Sequence, residues 1–344
     1  MGGNYTSASG IQATPIDIRL VERHKFVSDL ADFFDKLNDK FKKSFGVDLW
    51  SADLLKSKQF VSGSGFHVMN LTEIDTETLL KVKPTIGDID LQMDSNLESE
   101  IKDLLVHTSA VGKFSLLDHT KSGTQIITLW KYGSWYVQMD FEFVEYKDNA
   151  PSEWSTFSHS SDYNDLLAGV KGVFSKYMLR ALTTKFLIHG TIKAKTTRGV
   201  DKTGLHPTVA FSVDHGMREK YNITIDDSGR IILTDKPVEY TRDLTKIFVK
   251  MFDHKPSGED LKAFGSFTGQ VSLISKYIED HKTIQLIAEG FWRTLFFKGA
   301  QGLYKGNPKL DKETKLKAWN YLASKLKSVE ITDEMKRMIE TYYG

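Results

Sequence analysis

The chain has 344 residues, room for about two domains, with 46 Lys and Arg against 45 Asp and Glu and a formal net charge of +1. That balance provides no bulk attraction to nucleic acid or to an anionic membrane. The absence of Cys removes disulfides, zinc–thiolate centres and cysteine nucleophiles, and no run of about 18 apolar residues marks a transmembrane helix.

The first seven residues are polar and lack the apolar core of a signal peptide, and residues 1 to about 16 read as a flexible or partly ordered lead-in to a cytoplasmic chain. From Leu20 to Phe45, Phe26, Leu30, Phe33, Phe34, Leu37 and Phe41 recur at helical spacing, with Asp29, Asp35, Lys36 and Lys40 between them; Gly46 ends this amphipathic helix. A short strand at Phe60-Val61-Ser62 then runs into the small-residue turn Gly63-Ser64-Gly65. After a connection of moderate length comes Ile86-Gly87-Asp88-Ile89-Asp90-Leu91. Two carboxylates two residues apart among apolar neighbours have strand periodicity, so Asp88 and Asp90 point to one face.

Residues 97–107 are expected to be helical. Residues 124–131 and 134–146 alternate as two strands joined at Gly133-Ser134. In the second, Trp135, Val137, Met139, Phe141 and Phe143 share one face, and Tyr136, Gln138, Asp140 and Glu142 share the other. Residues 148–165 read as loop. Residues 165–187 read as a helix with Lys171, Lys176 and Arg180 on its basic side; Lys171 and Arg180, nine residues apart, come moderately close on one face. Residues 186–240 are rich in β-formers and turn signals, and helix returns from about 242, with Phe291, Trp292, Leu295, Phe296 and Phe297 as an apolar cluster. The expected class is α+β: a mixed sheet with flanking helices over 17–165, and a helical domain over 166–344 containing a β-rich segment at about 186–240.

Paired carboxylates on a rigid strand repel unless a cation lies between them. Mg²⁺ suits them because it takes hard oxygen ligands and pairs with phosphate. Asp140 on a later strand supplies a third carboxylate, and Glu142 on the same face is a rival for that place. A Gly-Ser turn lets backbone N–H groups approach phosphate closely. By contrast, the histidines show no metal-ligand spacing, and Gly112-Lys113 lacks a full phosphate-loop pattern. The Lys-rich stretch 305–327 reads as solvated helix face, or with Tyr304 and Trp319 as a single-stranded nucleic-acid groove.

In chain order, Ser62-Gly63-Ser64, Gly87-Asp88-Ile89-Asp90-Leu91 and Gln138-Met139-Asp140-Phe141 resemble the signature of nucleotidyltransferases of the DNA polymerase β type. The resemblance covers roughly residues 20–182. The interval between Gly63 and Asp88 is longer than in that family, which an insertion between about Asn70 and Pro84 explains. The resemblance implies a nucleotidyltransferase-like mixed sheet. It also implies transfer of a nucleoside monophosphate from an NTP, such as ATP, to a hydroxyl by a two-Mg²⁺ mechanism. In that picture Asp88, Asp90 and Asp140 are catalytic metal ligands, and Asp140 also takes the acceptor proton. Gly63 and Ser64 hold the β/γ-phosphates, and Lys171, Lys176 or Arg180 neutralises the triphosphate, Lys171 and Arg180 ranking first. The acceptor is an RNA 3′ end, a second nucleotide, a protein side chain or a small molecule. Two other readings compete: a catalytically silent nucleotide-binding or interaction module on the same fold, and an assembly protein whose acidic strand is incidental.

Overall fold

The computed structural model describes residues 5–19, 21–69, 76–82, 84–159, 162–193, 201–213, 215–296, 310–326, 329–333 and 335–337. The chain divides into two compact units, Met1–Leu167 and Ala168–Gly344. Among the described residues no helix is long and apolar enough to cross a membrane.

The first unit opens with strand β1 (Ile16–Asp17) and helix α1 (Arg23–Phe45). The apolar spacing of α1 buries Phe26, Leu30, Phe33, Phe34, Leu37 and Phe41, while Asp35, Lys36 and Lys40 face solvent. Gly46 stops the helix with its N–H on the Lys42 carbonyl at 2.8 Å. Then follow α2 (Ala52–Ser57), β2 (Val61–Ser62), α3 (Gly63–Met69), α4 (Thr76–Val82), β3 (Thr85–Ile86) and β4 (Asp88–Asp94). A short helix, α5 (Glu98–Val106), leads to β5 (Ala110–Val111), β6 (Phe114–Ser122), β7 (Gln125–Tyr132) and β8 (Trp135–Val144).

One mixed six-stranded sheet organises these elements, in the order β2-β4-β8-β7-β6-β5. Only the β4–β8 pair is parallel. Its two faces differ because successive side chains alternate. Ile89, Leu91, Met93, Val137, Met139, Phe141 and Phe143 are buried in one core with the apolar stripe of α1. Phe33 sits at the centre of that layer, its ring edge-on to Trp130 at 4.9 Å and to Phe114 at 5.1 Å. Truncation there leaves a cavity that rigid neighbours fill poorly, so Phe33→Ala is expected to lower stability by about 3–5 kcal/mol. Denaturant unfolding measures this, and a loss below about 1 kcal/mol would contradict the packing described.

The start of the chain differs from expectation. Residues 5–16, expected to be a flexible or partly ordered lead-in, are tied to the sheet rather than flexible. Thr14 N–H donates to the Tyr136 carbonyl at 2.9 Å, and Tyr136 N–H donates to Thr14 Oγ1 at 3.1 Å. β1 pairs with β3, through Ile16↔Ile86 and Asp17↔Thr85. Ala13 and Ile16 are buried. The arm occupies the slot beside β8 where β4 has not yet begun, and so satisfies strand groups that would otherwise lack partners. Such a role depends on a distant strand and leaves no local periodicity.

Two other expectations are corrected. Residues 148–165 are not all loop, since Glu153–His159 and Tyr163–Leu167 are helical. The expected helix over 165–187 is interrupted. Gly169 takes a left-handed φ of 67°, and helix resumes only at Val173–Leu182, followed by a 3₁₀ turn at Thr183–Phe186.

The second unit contains the expected β-rich segment, a four-stranded sheet of Lys202–Pro207, Leu187–Ile192, Ile231–Asp235 and Tyr221–Ile225 in that spatial order. Helices follow from Leu244. Phe291, Trp292, Leu295 and Phe296 are buried, with Phe291 stacked on Phe267 at 5.2 Å; Phe297 lies outside the described residues. Trp319, weighed as a nucleic-acid stacking platform, is fully buried against Trp292, and Tyr304 lies outside the described residues.

Candidate functional site

β4 and β8 run side by side in parallel, with Asp88 opposite Gln138 and Asp90 opposite Asp140. On the other side of β4, Ser62 stands opposite Asp90. Directly opposed residues share a face, so Ser62, Asp90 and Asp140 form a row across three strands. Asp88 and Gln138 form the neighbouring row, and Gln92 and Glu142 the next. The acidic residues therefore lie on the face opposite the α1 core, as the alternation requires.

Asp88, Asp90 and Asp140 each offer a carboxylate oxygen, all within 4.8 Å of one another. Asp88 and Asp140 are buried, and Asp90 keeps partial exposure. Among the described residues this is the one cluster of three or more His, Cys, Asp or Glu able to hold an ion. Burial, with the charges of Asp88, Glu142 and Asp140, pushes the Asp90 carboxyl well above the ordinary range. Burial also raises Asp140, to about 7, aided by Asp88 and Glu142 and opposed by hydrogen bonds from Gln138. A crowded, hard-oxygen donor set of this kind fits a divalent cation such as Mg²⁺, whose charge removes the mutual repulsion.

The Asp140 displacement fixes a pH dependence. Between 3.8 and about 7 the unfolded carboxyl has lost its proton while the folded one keeps it. Its stabilising contribution is complete below pH about 4 and is lost as pH rises through about 7. In chelator, the wild-type stability minus that of Asp140→Asn is expected to fall by roughly 4 kcal/mol between pH 4 and pH 8. Denaturant titrations at several pH values measure it; a difference flat with pH would show that the carboxyl ionises normally.

Gly63 belongs to the same assembly. It opens α3 with φ of 60°, and a Cβ added there would meet Asp90 Oδ2 at 2.3 Å. The Gly-Ser turn is thus packed on the acidic pair despite the 25 positions between Gly63 and Asp88. Of the intervening stretch, residues 70–75 and 83 lie outside the described residues, and α3 and α4 account for most of the rest. Ser64 follows Gly63 in the first turn of α3, and its side chain lies outside the described residues. Lys171 and Arg180 lie in the second unit. Lys171 precedes the Val173–Leu182 helix on which Arg180 sits, so the shared helical face expected for them does not exist.

Several contributors carried no local signal. Gln138 Nε2 donates to both Asp140 oxygens, at 2.9 and 3.0 Å, while its Oε1 accepts the Tyr5 N–H at 3.0 Å. These partners together set the amide's orientation, and through it the arm positions Asp140. Glu142, read as an outer-edge solvated residue, lies on an interior strand; its Oε2 is buried without a hydrogen bond and 3.6 Å from His159 Nε2. His159 carries no ligand spacing in the sequence, because its approach to Glu142 depends on the Glu153–His159 helix folding back.

No protein-family model, curated protein or solved structure matches the chain.

Proposed function

We propose that the chain is a Mg²⁺-dependent nucleotidyltransferase of the DNA polymerase β type, moving a nucleoside monophosphate from an NTP to a hydroxyl acceptor. The observation that carries this reading is the convergence of Asp88, Asp90 and Asp140 from two adjacent strands, with the Gly63 turn against Asp90. An isolated Asp-x-Asp is common. Three carboxylates gathered on one sheet face beside a glycine turn form a far more restrictive arrangement.

Asp88, Asp90 and Asp140 would hold the metal ions. When bound, Mg²⁺ supplies charge neutralisation at the reacting phosphate and stabilises the attacking and leaving oxygens. The acceptor oxygen forms a bond to the α-phosphorus, the bond from that phosphorus to the pyrophosphate oxygen breaks, and the acceptor proton passes to the Asp140 carboxylate. The backbone at Gly63 and Ser64 would contact the β/γ-phosphates.

The test incubates labelled NTPs with mixed RNA, nucleotides and protein, with and without Mg²⁺, and identifies products by mass spectrometry. Nucleoside monophosphate transfer is expected with wild type and Mg²⁺, and its loss with Asp88→Ala. Equal labelling by both proteins would remove Asp88 from the chemistry. A wild type that gains no thermal stability from any NTP with Mg²⁺ would favour an assembly role.

A further inference from the structure

In the four-stranded sheet of the second unit, Tyr221–Ile225 lies at one end of the strand order, and among the described residues only Ile231–Asp235 pairs with it. The opposite edge, Lys202–Pro207, carries Lys202, Gly204 and a closing Pro207, residues that discourage further pairing. The segment Tyr221-Asn222-Ile223-Thr224-Ile225 has no charge, Gly or Pro, and Ile223, Thr224 and Ile225 are β-branched. Ile223 is 49% exposed and Ile225 72%. We propose that this edge pairs antiparallel with the same strand of a second copy of the chain, joining two four-stranded sheets into one. The proposal is independent of the transferase reading.

The existing ladder decides which backbone groups face outward. Lys236 N–H donates to the Lys220 carbonyl at 2.9 Å, and Asp226 N–H donates to the Arg230 carbonyl at 3.0 Å. In an antiparallel pair, alternate residues bond to the same neighbour. Lys220, Asn222, Thr224 and Asp226 therefore face Ile231–Asp235, and Tyr221, Ile223 and Ile225 turn their N–H and C=O groups to the open edge. These residues are centred on Ile223. A two-fold axis there sets Ile223 of one copy against Ile223 of the other and Tyr221 against Ile225, so that every outward N–H meets a carbonyl. The same register places Lys220 opposite Asp226, which is held in its turn by Ser228 and Arg230, and so gives complementary charges at both ends. Tyr221, Ile223 and Ile225 share one face, and the apolar row of one copy continues into that of the other. A slip of two residues loses both charge pairs and leaves outward groups unpaired. This self-complementarity selects a second copy over an unrelated extended peptide. A ladder of this length buries little surface, so the dimer is weak and concentration-dependent.

Sedimentation equilibrium of the full chain over rising concentration tests this, and a monomer–dimer equilibrium is expected. Ile223→Pro removes an N–H that the existing ladder does not use. The fold, followed by circular dichroism, should persist while dimerisation weakens by about tenfold or more. Ile223→Lys sets like charges face to face at the axis and should also weaken the dimer without altering the backbone. Leu205→Lys, at a position 66% exposed on the opposite edge, should leave association unchanged. The chain has no Cys, so single cysteines report the register. Under mild oxidation Ile223→Cys should form a covalent dimer, and Leu205→Cys should not. A chain that stays monomeric at every concentration overturns the proposal and leaves the edge to a different extended strand. Dimers indifferent to both Ile223→Pro and Ile223→Lys, or equal cross-linking by the two cysteine variants, overturn it as well.

Discussion

Asp90→Asn is expected to abolish Mg²⁺-dependent transfer, by about 10³-fold or more, and at the same time to make the metal-free protein more stable above neutral pH. The two effects share one cause. Asp90 is wedged between Asp88 on its own strand and Asp140 on the next, and burial with that crowding drives its carboxyl well above the ordinary range. Replacing it with a neutral isostere removes the repulsion, so the metal-free melting temperature at pH 8 should rise by several degrees. Losing a ligand that the proposed metals share removes several kcal/mol of charge stabilisation at the reacting phosphate, which corresponds to the stated rate loss. Saturating Mg²⁺ should stabilise wild type more than the variant. Labelled-NTP turnover and calorimetry in chelator or Mg²⁺ measure the pair of effects. An active variant would dismiss Asp90 from the chemistry, and a less stable one in chelator would mean that the carboxylates do not repel as described.

Gly63→Ala carries the second large effect, through sterics alone. At φ of 60° a side chain is strained by about 1–2 kcal/mol, and the new methyl would lie 2.3 Å from Asp90 Oδ2. Either α3 or the Asp90 carboxylate must move. A displacement near 1 Å at a reacting centre lowers rate by about 10²-fold, so activity is expected to fall by that order together with stability by about 1–3 kcal/mol. Gly65→Ala is the control: its added Cβ would meet nothing closer than 3.4 Å. If the two variants behave alike, the close approach of the turn to Asp90 has no consequence.

The site was legible to different degrees, for reasons visible residue by residue. Alternation along 88–94 and 135–143 predicts which face each aspartate takes, because neighbouring residues on one strand are bound to opposite sides. The stripe from Phe26 to Phe41 predicts α1 in the same way. The apolar period of 165–187 continues across Gly169, so it predicts one helix where the left-handed backbone at Gly169 breaks it. The Tyr5–Gln138–Asp140 chain joins residues 133 positions apart and was invisible to any local pattern. The pairing of Lys171 with Arg180 failed because it assumed one continuous helix.

By itself the sequence determined the two-faced strands, the amphipathic α1, and the presence of three aspartates with a glycine turn in a meaningful order. Those properties follow from the fixed periods of helix and strand, which adjacent residues are sufficient to impose. The folded arrangement alone places Asp90 opposite Asp140 and rests Gly63 on Asp90. Strand order and register are collective. They are settled by which apolar faces bury together and which backbone groups remain to be paired, over separations no local period records.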